Sequence, residues 1–161
     1  MVLWICNRLM DKDLEEFLKT IDKSTFSNEP FLQKVEKPWG YELIFTPEGL
    51  PYSGKIMHYR AGKRNSLQIH DKKIETGCLM SGECNLIIEN DQGEMETIKM
   101  EQGKGYTVKV GQKHRYQGVT DCDIFEAAMS EVGVTFRLED DYARGNEDDE
   151  MRKEENRGWG G

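Results

Sequence analysis

The sequence predicts an all-β domain, a jelly roll or closed barrel, with one amphipathic helix in front and an acidic tail behind. From Val35 onward, short apolar or alternating runs recur at the spacing of antiparallel strands. Ser81-Gly82, Asn90 to Gly93, Gln102-Gly103 and Gly111 punctuate them as turns. No helical pattern separates these runs over about a hundred residues, which argues against a parallel α/β fold.

Each element follows from its own pattern. Asp13 with Glu16 three residues on reads as a capping box, and Leu14, Phe17, Leu18 and Ile21 recur at helical spacing. That stripe is expected to dock on the barrel or on a second subunit. Ser24–Pro30 is polar and proline-containing and reads as a linker. The expected strands are Tyr41–Phe45, Lys55–Arg60, Ser66–His70, Thr76–Met80, Cys84–Glu89, Met95–Met100, Tyr106–Val110, Asp123–Ala128 and Val134–Leu138. After Arg144 the chain turns acidic and ends Gly-rich, so it is expected to stay disordered. The organisation is therefore helix and linker over 1–34, barrel over 35–144 and flexible tail over 145–161.

At 161 residues there is room for one domain with a proper core. Charged residues make up 32% and the formal net charge is −8, which excludes nucleic-acid phosphates and anionic lipid as natural partners. Cysteines at 6, 78, 84 and 122 show no Cys-x-x-Cys spacing, as for reduced thiols. Met1–Met10 lacks the pattern of a secretory leader, and no apolar run reaches the roughly 18 residues of a membrane span. A cytoplasmic location is expected.

The chemistry rests on few imidazoles, at 58, 70 and 114. Gln68 and His70 lie two apart on a strand and so share a face, with Leu67 and Ile69 on the other. Glu75 begins the next strand, and His114 follows the Gly111 turn. Two oxygen and two nitrogen donors from three strands can meet on one divalent ion and leave positions open for substrate. His58 has no partner at ligand spacing and reads as structural.

Several motifs occur in a familiar order. Lys37-Pro38-Trp39-Gly40 resembles "RPWG", Lys55 the lysine of "VKRI", and Gly62 to His70 the segment "PG…LSLQ-x-H". Glu75 matches the glutamate of "HRAEHW", Ser81-Gly82 the "V-x-G" turn, Gly111 to Arg115 "IP-x-G-x-x-HR", Glu126 the glutamate of "IEVQ", and Arg137 to Arg144 "R-x-EDxYGR". These are the motifs of the type II mannose-6-phosphate isomerase cupins, including the isomerase half of mannose-1-phosphate guanylyltransferases, and they cover Glu36 to Arg144. Where that pattern has a second histidine this chain has Lys72, the aromatic after the glutamate is replaced by Thr76-Gly77, and Ala143 stands for the glycine of "YGR".

The resemblance implies a cupin double-stranded β-helix with a metal on Gln68, His70, Glu75 and His114. Zinc is the expected ion, with Mn, Fe, Co or Ni as alternatives. It also implies interconversion of aldose and ketose phosphates through an enediolate, with Lys55 shuttling a proton and Arg144 facing the phosphate. Lys72 is a second shuttle candidate because it replaces a site histidine, and Arg64 and Arg137 are further phosphate cations. The rivals keep barrel and metal for another sugar isomerase or epimerase or for an iron dioxygenase, or bind sugar without catalysis. The glutamine ligand argues against the dioxygenase. A homodimer is expected.

Overall fold

The computed structural model describes residues 12–160; the opening Met1–Met10 considered above lies outside them. The chain divides into two compact units, Met1–Pro30 and Phe31–Gly161. In the first, a helix α1 runs Lys12–Thr20, followed by a 3-10 turn at Lys23–Thr25. Asp13 falls inside the first helical turn rather than before it, so the capping box is displaced, and Ile21 lies beyond the helix end. No residue of α1 is buried, and Leu14, Phe17 and Leu18 are exposed. No helix among the described residues is long and apolar enough to cross a membrane.

The second unit holds eleven strands: β1 Gln33–Lys37, β2 Gly40–Ile44, β3 Tyr52–Tyr59, β4 Leu67–His70, β5 Glu75–Ser81, β6 Cys84–Glu89, β7 Met95–Lys99, β8 Gly105–Val108, β9 His114–Gly118, β10 Cys122–Met129 and β11 Thr135–Glu139. They form two antiparallel sheets, ordered β1-β2-β3-β10-β5-β8 and β11-β4-β9-β6-β7. The all-β double-stranded barrel expected from the sequence is the fold observed. Strands β1 and β9 were not among those expected, and the compact unit begins at Phe31 rather than Val35. Both missed strands are rich in charged or polar residues, so apolar alternation does not mark them.

Alternation places one apolar core between the sheets. Trp39 stacks on Tyr59 at 4.3 Å between ring centroids, and Met57, Leu79, Leu86, Tyr116 and Ile124 pack around them. Gly82, at φ +74°, turns β5 into β6 where an added Cβ would lie 2.8 Å from the Cβ of Cys122, so only glycine serves. Cys78, Cys84 and Cys122 are free thiols.

Residues 145–160 do not form the flexible tail expected from composition. Glu147 bridges Thr135 through both backbone groups, at 2.8 and 3.0 Å, and two 3-10 turns follow at Met151–Lys153 and Glu155–Gly158. Asn156 accepts a hydrogen bond from the Glu36 backbone at 2.8 Å. The segment is held by ion pairs and backbone bonds instead of apolar burial, and composition does not register these.

Candidate metal centre

Strand register assembles the site. Gln68 sits opposite both His114 and Arg137, and His70 opposite Thr135, so β11, β4 and β9 present one inward-facing row of polar side chains. From the other sheet, Glu126 lies opposite Lys55 and Gly77, and Glu75 opens β5. Gly77 is required because a Cβ there would drive into the Tyr116 hydroxyl, with the ring Cζ 3.0 Å away. The replacement of an aromatic at Thr76-Gly77 thus makes room for Tyr116.

His70, Glu75 and His114 converge, each offering one ligand atom, all within 4.8 Å of one another. Glu75 Oε2 lies 3.1 Å from His70 Nε2, and Glu75 Oε1 lies 3.2 Å from His114 Nε2. Gln68 Nε2 is 3.4 Å from His114 Nε2, and the Gln68 Oε1 accepts from Ser66 Oγ at 2.9 Å. All three members of the triad are buried. His114 Nδ1 donates to the Gln112 carbonyl at 3.0 Å, which leaves Nε2 a lone pair facing Glu75. His70 Nδ1 is paired with Thr135 Oγ1 at 3.0 Å. His70 Nε2 and Glu75 Oε2 are buried and make no well-aligned hydrogen bond, although the Lys73 ammonium stands 2.7 Å from Oε2. Two imidazole nitrogens and a carboxylate, each fixed from behind and two of their inner atoms unsatisfied, fit a divalent ion held by nitrogen and oxygen donors.

Electrostatics favour the ligating protonation states. Burial lowers the His70 pKa to about 4, opposed by the Glu75 carboxylate beside it and assisted by Lys73, so the imidazole is neutral at pH 7. Burial works against ionisation of Glu75, but Lys73 and both imidazoles outweigh it and hold the carboxyl well below its ordinary value.

His70 and Glu75 open into a cavity of about 50 Å³, whose walls include Lys37, Glu42, Lys55, Lys73, Glu126, Glu131, Arg137, Arg144 and Glu147. Lys55 reaches Glu131, Glu126 and Glu42 at 3.0, 3.5 and 3.6 Å. Burial disfavours its charge, yet the three carboxylates outweigh burial and raise its pKa well above that of a free lysine. Lys55 is thus held as an ammonium among three carboxylates. Glu126 is the reverse case: burial and Glu75 raise its pKa above the ordinary carboxylate value against the pull of Lys55 and Lys73.

The other expected residues divide. Arg137 and Arg144 line the cavity, Arg144 pairing with Asp140 at 2.6 Å. Arg64 does not line it; it forms a two-pronged pair with Asp141 at 2.8 and 2.9 Å on the outer surface. Lys72 is exposed and does not line it either. The ammonium at the site is its neighbour Lys73, 2.7 Å from Glu75 and 3.4 Å from Glu126. Lys73 lies in the loop between β4 and β5, where strand alternation gives no facing, so sequence reasoning passed over it. His58, on the opposite face of β3, pairs with Asp123 at 2.8 Å and stacks on Tyr41, a structural role.

No protein-family model matches the sequence, and no curated protein does. Solved structures do. Oxalate decarboxylase from Bacillus subtilis, determined at pH 4.6, superposes with a TM-score of 0.59 at 22% identity, over 73% of this chain and 34% of that one. A tryptophan-to-phenylalanine variant gives 0.60 at 18% identity over the same shares. A third structure of that enzyme, described by its Mn(II) centres, gives 0.59 at 18% identity, again over 73% and 34%. The fold is that of a cupin. At these identities the likeness concerns the barrel alone, and the chain spans about a third of the length of these neighbours. The cupin barrel here carries an inward-facing His-Glu-His cluster, the arrangement from which its chemistry must be argued.

Proposed function

We propose that this cupin is a metal-dependent enzyme that moves a proton between adjacent carbons of a small sugar phosphate, an aldose–ketose isomerase. The observation that carries the reading is the position of Glu126, a buried carboxyl of raised pKa set between Lys55 and Lys73 on the wall of the cavity that His70 and Glu75 line, with His114 behind Glu75. A carboxyl tuned upward can take a proton from carbon and return it to the neighbouring carbon, which is what isomerisation requires. A divalent ion held by His70, Glu75 and His114, with Gln68 beside them, would supply Lewis-acid stabilisation to the substrate's vicinal oxygens. Lys55 and Lys73 stay charged, steady the carboxylate form of Glu126 and orient it. Arg137 and Arg144 supply the fixed cations that a phosphate needs.

A second reading is favoured by the size of the cavity. About 50 Å³ suits roughly three or four waters, closer to a two-carbon dicarboxylate than to a hexose phosphate. The structural neighbours named for oxalate decarboxylation point the same way. Elemental analysis of purified protein, repeated on His70→Ala and His114→Ala, tests the ion. Protein that never binds metal, or binds it equally in both variants, overturns the site. Coupled assays with mannose 6-phosphate and fructose 6-phosphate, run beside oxalate, separate the substrates: turnover of oxalate alone would replace the isomerase reading.

A further inference from the structure

The segment 145–160 lies beyond the last of the motifs matched by the sequence, yet it supplies part of the cavity wall. Glu147 and Arg152 face the metal-side cavity, and Asp149, Arg152, Lys153 and Arg157 face a second cavity of about 590 Å³. The two cavities share Glu131, Val132 and Arg152 in their walls, so this strap is part of what divides them.

Glu147 is the hub of the strap. Its carboxylate meets Arg137 at 2.7 Å, Arg157 at 3.1 Å, Arg152 at 3.5 Å and Lys37 at 3.7 Å. Arg152 and Arg157 travel with the strap, whereas Lys37 and Arg137 belong to β1 and β11 and line the metal-side cavity. The Arg137 side chain is 7% exposed, and its Nε is buried with no partner. Lys37 Nζ has Glu42 no nearer than 4.0 Å. Two cations of the barrel wall thus share one carboxylate that comes from the C-terminal segment, Lys37 dividing its charge between it and Glu42.

The strap is also held against its own backbone. Asn156 and Arg157 both adopt the left-handed conformation, at φ +47° and +52°; asparagine tolerates it, but a residue such as Arg157 occupies it only when surrounding contacts hold it there. Those contacts are the ion pairs of Arg157 with Glu131 and Glu147 and the bond from Glu36 to Asn156. Removing them would release the segment.

We propose that Lys37 and Arg137 form an oxyanion-binding site that Glu147 occupies as an internal competitor, and that a small dianion such as a phosphate group displaces this carboxylate and lifts the strap. The displacement would join the two cavities, giving a sugar phosphate the room that the closed cavity lacks. The identity of the natural anion rests on the proposed substrate class; the site itself does not.

The test uses the full-length chain with inorganic phosphate as probe, with and without divalent metal, reading affinity by calorimetry and the strap by hydrogen exchange. In the unmodified protein, phosphate should raise exchange across 145–160. Glu147→Gln should bind phosphate at least tenfold tighter, and Arg137→Gln should lose binding. Should Glu147→Gln fail to fold, Asn156→Ala carries the same expectation of tighter binding, because it loosens the strap without touching the anion site. Unchanged or weaker binding in the variant that folds overturns the proposal. So does phosphate that lowers exchange in the strap, or absence of phosphate binding throughout. Protein that binds phosphate as described but never binds metal would sink the isomerase reading and leave this site standing; metal-dependent turnover with no effect of Glu147→Gln would do the opposite.

Discussion

Replacing Lys73 by methionine separates the metal site from its internal competitor. Lys73 Nζ lies 2.7 Å from Glu75 and 3.4 Å from Glu126, with the lysine 10% exposed and the glutamates 1% and 3%. At an effective dielectric constant near 20, those distances correspond to about 6 and about 5 kcal/mol of attraction before desolvation is subtracted. Deleting one partner of such a buried pair costs about 3–5 kcal/mol net, because the other charge is left uncompensated. Glu126 retains Lys55, but Glu75 loses its one ammonium, so the cost falls on the metal ligand. The metal-free variant should therefore melt about 6–20 °C below the unmodified protein. A divalent cation supplies the missing charge and no longer competes with an ammonium for Glu75 Oε2, so saturating metal should close most of that gap. Affinity should rise at least about tenfold, or about 1.4 kcal/mol. Thermal melts with and without metal, joined to competition titrations against a chelating indicator, measure both quantities. A metal-free variant as stable as its parent, or metal binding that is unchanged or weakened, would refute the argument that Lys73 and a metal ion share Glu75.

Three further outcomes are expected. Glu147 has its pKa lowered to about 2 from 4.5; burial opposes the shift, and Lys37, Arg157 and Arg137 outweigh it. Its stabilisation, on the order of 3 kcal/mol, is full above about pH 4.5 and lost as pH falls from there through about 2, so hydrogen exchange in 145–160 should accelerate over that window. Ala143 sits at φ +55°, and Ala143→Gly should stabilise the barrel by up to about 1 kcal/mol in denaturant melts, since relief of left-handed strain exceeds the added unfolded-chain entropy. Gly77→Ala should destabilise by about 1–3 kcal/mol through the collision with Tyr116, and Tyr116→Phe in the same chain should recover part of the loss.

How much of this was legible depends on whether a residue sits on a regular strand. Alternation alone places Gln68 and His70 on one face, and the observed register agrees; Lys55 and Glu126, reached only through the matched motifs, are both buried. It fails at Lys73, because the loop between β4 and β5 has no fixed period, and attention fell on exposed Lys72 instead. It fails also for β1, whose inward residues are Val35 and Lys37, since a strand lining a charged cavity does not read as apolar within. The strap was hidden for a related reason. A disorder argument weighs apolar burial against chain entropy, and residues 145–160 are fastened by Glu147, Asn156 and Arg157 through charge and hydrogen bonds. Arg64 misled because an arginine in a matched segment looks the same whether it faces a cavity or, as here, Asp141 outside.

The distribution of unsatisfied polar atoms ties these features together. Among the described residues, the buried side-chain atoms without a hydrogen-bond partner belong to Glu42, His70, Glu75, Arg115, Tyr116 and Arg137. All but Arg115 line the cavity beside the metal ligands. Left unpaired, such an atom costs about 1–3 kcal/mol, and although Glu75 Oε2 has a counter-charge close by, Lys73 at 2.7 Å, the group weighs on the net stability of the domain. Nor does the surrounding charge offset this, because buried ion pairs are often no more stabilising than apolar residues of the same volume. The apolar half of the barrel, around Trp39, Tyr59, Leu86 and Ile124, must carry the fold while the charged half draws on it. Packing or stability gives no reason for a barrel to concentrate its orphaned donors and acceptors in one place. Binding does, because a cation at His70 and Glu75 and an oxyanion at Arg137 would satisfy three of them at once.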